Sequence, residues 1–212
     1  TNGNTSDFGG AIYGECTAVD CTFTDNIAKD YGGAMCEGSA VNCTFTNNNA
    51  TDSGGAMAGG SAINCTFIGN RAYSGGAIGG YDWKAFNCTF INNTATYGGA
   101  VYANQYSSGT RRGYAVDCHF ENNTASYGGA AYRPVIVVCT FKGNSASNGA
   151  DCYNVQFPTV SMATTTVYGN YPSALLPLDL YYYSSYVPSN YYPGSYYHFK
   201  GAQLNLAVYN NT

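Results

Sequence analysis

The chain has 212 residues, of which only 9% are charged, and its net charge is −4. About 25% is usual for soluble globular domains. Because there is no basic patch, nucleic acid is not an expected partner. A content of 45% hydrophobic and 16% aromatic residues argues against disorder. No apolar run approaches the ~18 residues of a spanning helix, so no membrane insertion is expected.

Two short motifs, Gly-Gly-Ala and Cys-x-Phe-x-x-Asn, alternate through residues 1–152 and recur about every 22 residues. Self-similarity at such a period is typical of solenoid proteins. Gly-Gly-Ala begins at Gly9, Gly32, Gly54, Gly75, Gly98 and Gly128, and Cys-x-Phe begins at Cys21, Cys43, Cys65, Cys88, Cys118 and Cys139.

The residues around each cysteine predict short strands. Val19, Cys21 and Phe23 alternate with polar residues, which indicates one five-residue strand with these three side chains inside. Asn and Gly tolerate positive φ and supply the turns. The repeat therefore predicts an all-β, right-handed parallel β-helix of about six rungs. Its inner side chains stack in Cys, Phe and Val/Ile ladders, and a further inner ladder is expected from Ile12, Met35, Met57, Ile78 and Val101.

The pairing of Gly-Gly-Ala-Ile (residues 9–12 and 75–78) with Phe-x-x-Asn (residues 23–26 and 67–70) resembles a known repeat. It is similar to the repeats of polymorphic outer-membrane proteins and of methanogen adhesin-like surface proteins. The resemblance covers residues 1–152. It implies a right-handed parallel β-helix on the outside of a cell and leaves open what that helix does.

Nine cysteines are present, and six of them belong to the ladder. The ladder cysteines are best explained as small buried thiols, since parallel neighbours about 4.8 Å apart do not suit a disulfide. The spacing places Cys36 and Cys152 at one outward repeat position, with Cys16 also outside the ladder. Intersubunit disulfides are the hypothesis for these three. The alternative is free or internally paired thiols.

No metal site and no cofactor are expected, because the chain lacks Cys-x-x-Cys and its only histidines are His119 and His198. An enzyme is not expected either. Asp20 and Asp117 share an outward position but lie four rungs apart, too far to act as a catalytic pair.

Asn-x-Ser/Thr sequons make the outer face a candidate for glycosylation. Some of them arise because the repeat itself reads Asn-Cys-Thr, so they are not independent. The sequons lie at Asn4, Asn42, Asn49, Asn64, Asn87, Asn92, Asn122 and Asn210.

Two insertions and a tail depart from the repeat. The insertion at residues 81–84 carries Tyr81 and Trp83, a candidate sugar platform or subunit contact. The insertion at residues 104–114 suggests a loop that binds a carboxylate or sugar, against the alternative of a solvated decoration. The candidate ligand residues of this second loop are Tyr106, Arg111, Arg112 and Tyr114.

Residues 153–212 form a second region, rich in Tyr and Pro and poor in charge. Tyrosine favours interfaces, so this region is predicted to be a cap and assembly surface. Thr1 also begins part-way through a repeat, which suggests either a fragment or a rung completed by a neighbouring subunit.

Two functions follow from these features. The favoured one is an extracellular, cell-surface structural protein that self-assembles as a homopolymer into a filament or sheath. The alternative is an adhesin that binds glycans or a partner cell through residues 81–84 and 104–114.

Overall fold

The computed structural model describes the backbone of residues 4–104 and 113–155, and the side chains of these residues from 7 onward. Every strand pair in this part of the chain is parallel, and strands of successive repeats stack in about six turns of a β-helix. Within the described ranges the chain forms strands and turns and no helix. The predicted all-β parallel β-helix is confirmed.

Each turn contributes to four sheets, here numbered in chain order. Sheet 1 contains Asn4–Phe8, Ile27–Tyr31 and Asn49–Ala50, continues through isolated bridges, and ends with Thr124–Tyr127 and Ser145–Asn148. Sheet 2 contains Ile12–Tyr13, Met35–Cys36, Met57–Ala58, Ile78–Gly79, Val101–Tyr102, Ala131–Tyr132 and Cys152–Tyr153.

The other two sheets hold the cysteine-containing part of the repeat. Sheet 3 contains Thr17–Val19, Ser39–Val41, Ser61–Ile63, Trp83–Phe86, Gly113–Val116 and Val135–Val137. Sheet 4 contains Thr22–Thr24, Thr44–Thr46, Thr66–Ile68, Thr89–Ile91, His119–Glu121 and Thr140–Lys142.

The single five-residue strand predicted around each cysteine is wrong. Asp20 has φ 52° and Asn42 has φ 53°, so the chain turns a corner there and the alternation shifts phase. Val19 is consequently 51% exposed, while Ala18 next to it is buried. The predicted inner Val/Ile ladder is an inner alanine ladder in most turns.

Other predicted core positions are confirmed. The phenylalanines stack along the axis with ring centroids 4.8–5.0 Å apart and nearly parallel planes. Met35, Met57, Ile78 and Val101 are buried, and Ile12 packs against the same core.

The first glycine of Gly-Gly-Ala has positive φ, as at Gly32 (63°), and turns the chain from sheet 1 to sheet 2. The second glycine is needed for close packing. A Cβ on Gly33 would lie 2.0 Å from the carbonyl oxygen of Gly55 in the next turn. This corner therefore stacks backbone on backbone, and it brings the outward side chains of sheets 1 and 2 together.

Candidate functional site

The three cysteines predicted to be outward thiols differ in exposure. Cys16 is exposed, whereas Cys36 lies at the predicted repeat position, beside Tyr13 and Ala58, but is only 6% exposed. Cys152 pairs with Ala131 in sheet 2, so it occupies the inner position of Met35, one residue away from the predicted register. The shift arises because Gly149, at φ 65°, takes the place of the first glycine of the motif.

All nine cysteines lie within the described residues and all are free thiols, of which Cys16 is the exposed one. Burial raises the pKa of the Cys36 thiol to about 11, with Glu37 adding to the effect. Burial likewise raises the pKa of Cys118 and of Cys152. These groups are therefore poor nucleophiles at neutral pH.

Trp83 is not a sugar platform or a subunit contact. Its side chain is fully buried, and its Nε1 donates a hydrogen bond of 2.7 Å to the carbonyl oxygen of Tyr102. Gly113 lies opposite it, where a Cβ would come within 2.6 Å of the indole. The insertion thus widens the turn, and Trp83 fills the added interior space.

The structure describes only some of the remaining predicted ligand residues. Tyr81 is 49% exposed and Tyr114 is 38% exposed. Tyr106, Arg111 and Arg112 lie outside the described residues, as does the tail from residue 156. Within the part of the chain that the structure describes, no group of three or more His, Cys, Asp or Glu side chains could hold a metal ion.

Most of the sequon asparagines are exposed, and their glycosylation stays a prediction. Asn42, Asn64 and Asn87 stand at the corner between sheets 3 and 4, where each side-chain amide donates to the side chain one turn earlier. Asn49, Asn92 and Asn122 are also exposed, Asn4 begins the first strand, and Asn210 lies outside the described residues.

A group of tyrosines on the Gly-Gly-Ala corner has no counterpart in the predicted sites. Tyr97 and Tyr127 stack in sheet 1, with ring centroids 5.3 Å apart. Tyr102, Tyr132 and Tyr153 stack in sheet 2 at 5.5 Å. The two stacks meet edge to face across the corner, because each sheet 1 tyrosine contacts the sheet 2 tyrosine of the next turn. We call these five residues the tyrosine cluster.

Arg133 lies against this cluster. It follows Tyr132 with φ 68°, and its guanidinium carbon lies 5.0 Å from the centroid of the Tyr132 ring. Within the described residues Arg133 forms no ion pair, and its buried Nε has no hydrogen-bond partner. A cation held by aromatic rings without a carboxylate retains donors for a ligand.

The charge of Arg133 affects the pKa of two tyrosines of the cluster. Burial raises the pKa of Tyr102, and the nearby Arg133 opposes that rise. A hydrogen bond with Tyr73 raises the pKa of Tyr97, which Arg133 also opposes. The Tyr97 hydroxyl thus forms a hydrogen bond with Tyr73, and the Tyr102 hydroxyl forms one with Arg133, which lowers the Tyr102 pKa.

The turn before Tyr102 has no side chain at the matching position. Ile78 pairs with Val101, so Gly79 lies next to Tyr102, and a Cβ on Gly79 would lie 2.2 Å from Ser53 Oγ. The Tyr102 ring stacks on Tyr132 on the opposite side, and Tyr81 lies close enough to influence its pKa. The result is a stacked pair of tyrosine rings with a cation over one of them.

The tyrosine cluster was not found from the sequence, although part of its signal was visible. Tyr13, Tyr102 and Tyr132 recur at one repeat position, and Tyr97 and Tyr127 precede two of the glycine motifs. What the sequence did not reveal is that the Gly-Gly-Ala corner folds these two positions against each other. Arg133 occurs in one turn only, so the repeat gave no signal for it.

Comparison with known proteins identifies the repeat type. A profile of the Chlamydia polymorphic membrane protein repeat matches residues 64–81 and 87–104. Each matched range contains one Cys-x-Phe-x-x-Asn motif and the Gly-Gly-Ala that follows it. Neither the curated proteins nor the solved structures give a significant match.

The matched repeat indicates a protein associated with the cell surface or outer membrane. In the part of the chain that the structure describes, no helix has the length and apolar character needed to cross a membrane.

Proposed function

We propose that this chain is an extracellular adhesion module whose β-helix holds a binding surface, the tyrosine cluster with Arg133, on the outside of the cell. The observation that carries the proposal is the cluster itself: stacked rings on a rigid corner, beside a cation without an ion-pair partner in the described residues. Tyrosine and arginine are the residues most often enriched where proteins bind partners.

The scaffold supports this role because it fixes the cluster from inside. The carbonyl oxygen of Tyr102 accepts from Trp83, and the amide of Ala103 donates to the carbonyl oxygen of Tyr132. Ring positions set by the backbone lose little conformational freedom when a ligand binds, which favours affinity.

Binding to a printed array of neutral and acidic glycans tests the proposal. Tyr102→Ala is expected to remove most of the binding, whereas Tyr114→Ala, a matched exposed tyrosine on sheet 3, is expected to leave it unchanged. Loss of binding in Tyr114→Ala but not in Tyr102→Ala would assign the site to the insertion at residues 104–114 instead.

Self-assembly is a second candidate, favoured by the composition of residues 153–212 with its many tyrosines and few charges. The disulfide part of that candidate rests on Cys16, which is exposed, and on Cys152, which is half-buried, whereas Cys36 is buried. Electron microscopy of the native protein tests this candidate. Regular fibres or sheets would support assembly, and dispersed short rods would reject it.

A further inference from the structure

We infer that the tyrosine cluster binds an acidic saccharide, with Arg133 holding the sugar carboxylate and Tyr102 contacting the sugar ring. This inference rests on the proposed function and names the ligand class for the same surface. It goes beyond the sugar hypothesis for the two insertions, because it places the site on the Gly-Gly-Ala corner.

The charge of the ligand follows from Arg133. Lys29 and Lys142 each lie within 3.5 Å of a carboxylate, at Asp7 and Glu121. Arg133 has no such partner within the described residues, although its guanidinium lies over the Tyr132 ring. A planar guanidinium matches a carboxylate through two parallel hydrogen bonds, which its outer nitrogen atoms can donate to an anionic ligand.

The saccharide part follows from the groups around that cation. The rings of Tyr97 and Tyr102 both contact the Tyr132 ring, over which the guanidinium lies, and tyrosine hydroxyls can accept hydrogen bonds from sugar hydroxyls. The Tyr102 ring stacks on Tyr132 on one side and stays partly exposed, which leaves aromatic surface for a sugar ring. Small-ligand sites commonly combine such apolar surfaces with a few placed polar groups.

A polymer suits the cluster better than a single sugar. The tyrosines recur once per turn, with stacked centroids 5.3–5.5 Å apart in both sheets. Polysaccharides also repeat at a constant spacing, so successive units can each meet one turn. An acidic peptide also carries carboxylates, but it lacks the hydroxyls of a sugar ring, which could pair with a row of tyrosine hydroxyls.

The test compares glycans that differ only in charge. The full chain is titrated with oligogalacturonate and with its methyl ester, and the acidic glycans of the array are paired with carboxyl-reduced forms. We expect the acid forms to bind about tenfold or more tightly, the ratio typical of losing a charged hydrogen bond. Equal binding of the paired forms would overturn the inference.

Variants of the arginine locate the effect. Arg133→Gln is expected to weaken binding of the acid form about tenfold while leaving the ester unchanged, and Arg133→Lys to weaken it less, since it keeps the charge and loses the fork. Arg71→Gln, an exposed arginine outside the cluster, serves as the control and is expected to have no effect. Circular dichroism checks that each variant folds.

The outcomes separate the inference from the proposed function. If Tyr102→Ala abolishes binding to neutral glycans while Arg133→Gln changes nothing, the adhesion surface stands and the acidic ligand is wrong. If a polyglutamate peptide binds through Arg133 and no glycan does, the ligand is a peptide. If no array component depends on Tyr102 or Arg133, both the inference and the proposed function are wrong. Inorganic phosphate and a free uronate are also compared as competitors of the bound glycan. If phosphate competes as well as the uronate does, the carboxylate assignment is wrong.

Discussion

The asparagine of the Phe-x-x-Asn motif stabilises each turn of this β-helix. The Oδ1 atom of Asn70 accepts hydrogen bonds from the backbone and side-chain amides of Asn48, at 2.9 and 3.0 Å. Its Nδ2 atom donates to the carbonyl oxygen of Phe45 and to Asn93 Oδ1, both at 3.0 Å. The Asn of the Phe-x-x-Asn motif thus satisfies buried polar groups of the turns on both sides.

Replacing Asn70 by alanine is expected to lower the free energy of unfolding by about 2–6 kcal/mol. The substitution leaves the backbone amide and one side-chain N–H of Asn48 buried without partners, at about 1–3 kcal/mol each. Urea unfolding followed by circular dichroism measures the change. The matched control, Asn49→Ala, alters an exposed asparagine and should shift stability by at most about 0.5 kcal/mol. Similar stabilities for both variants would contradict the role of the buried asparagines.

Trp83 gives a second test at the residue scale, because it is the one tryptophan of the chain. Its indole is fully buried and donates to Tyr102, so acrylamide should quench its fluorescence far less in the folded protein than in urea. Sugars should not quench it at all. Strong quenching in the folded state, or direct quenching by a glycan, would support the exposed platform that the sequence predicted.

At the scale of the element, the cysteine positions form a column of thiols along the axis. Cys65 Sγ donates to the carbonyl oxygens of Ile63 and Ala40, and the amide of Cys43 donates to this sulfur. A hydrogen bond with Cys118 raises the pKa of Cys88 to about 12. The thiols are thus held protonated inside the helix, where they act as small apolar side chains with weak donors.

Alkylation should follow this burial. With a pKa of about 11, only about a thousandth of Cys36 is thiolate at pH 8. A maleimide is therefore expected to label the exposed Cys16 in the folded protein well before Cys36 or the column. Mass spectrometry of the labelled peptides measures the order. Equal labelling of Cys16 and Cys36 would contradict the burial of the Cys36 thiol.

Stability should also fall at alkaline pH. The unfolded Cys36 thiol ionises near 9.0, whereas the folded one keeps its proton to about 11. Between these values the folded state binds more protons, so the free energy of unfolding decreases as pH rises, and the full contribution is present below pH 9. Urea unfolding at pH 8 and pH 10 measures the difference. Replacing Cys36 by alanine should reduce the loss, and an unchanged loss would assign it to other groups.

The repeat sequence predicted the stacking of the turns and the buried phenylalanines, because both recur in every turn at a constant spacing. The corner at Asp20 was not predicted, because an alternating pattern does not reveal positive φ. Val19 was therefore predicted to lie inside, whereas it is exposed. Cys152 was misplaced because its turn has one glycine where the motif has two. The tyrosine cluster was missed because it depends on contacts between two repeat positions.

At the scale of the whole molecule, stacking of the turns brings residues that are distant in the sequence together along one corner of the β-helix. Tyrosines that are about 30 residues apart in the sequence, such as Tyr97 and Tyr127, become neighbours at 5.3 Å. The insertion before Tyr127 lengthens the sequence between the two tyrosines, and their rings stack nonetheless. The proposed adhesion surface therefore depends on the stacking of the turns.

Hydrogen exchange with and without the glycan that binds best on the array tests the central claim most directly, because it locates the contact surface. The account predicts added protection in peptides that cover residues 97–102 and 127–133, and none at residues 81–84. Protection confined to residues 105–112 or 156–212 would contradict it and would place binding on the insertion or the tail.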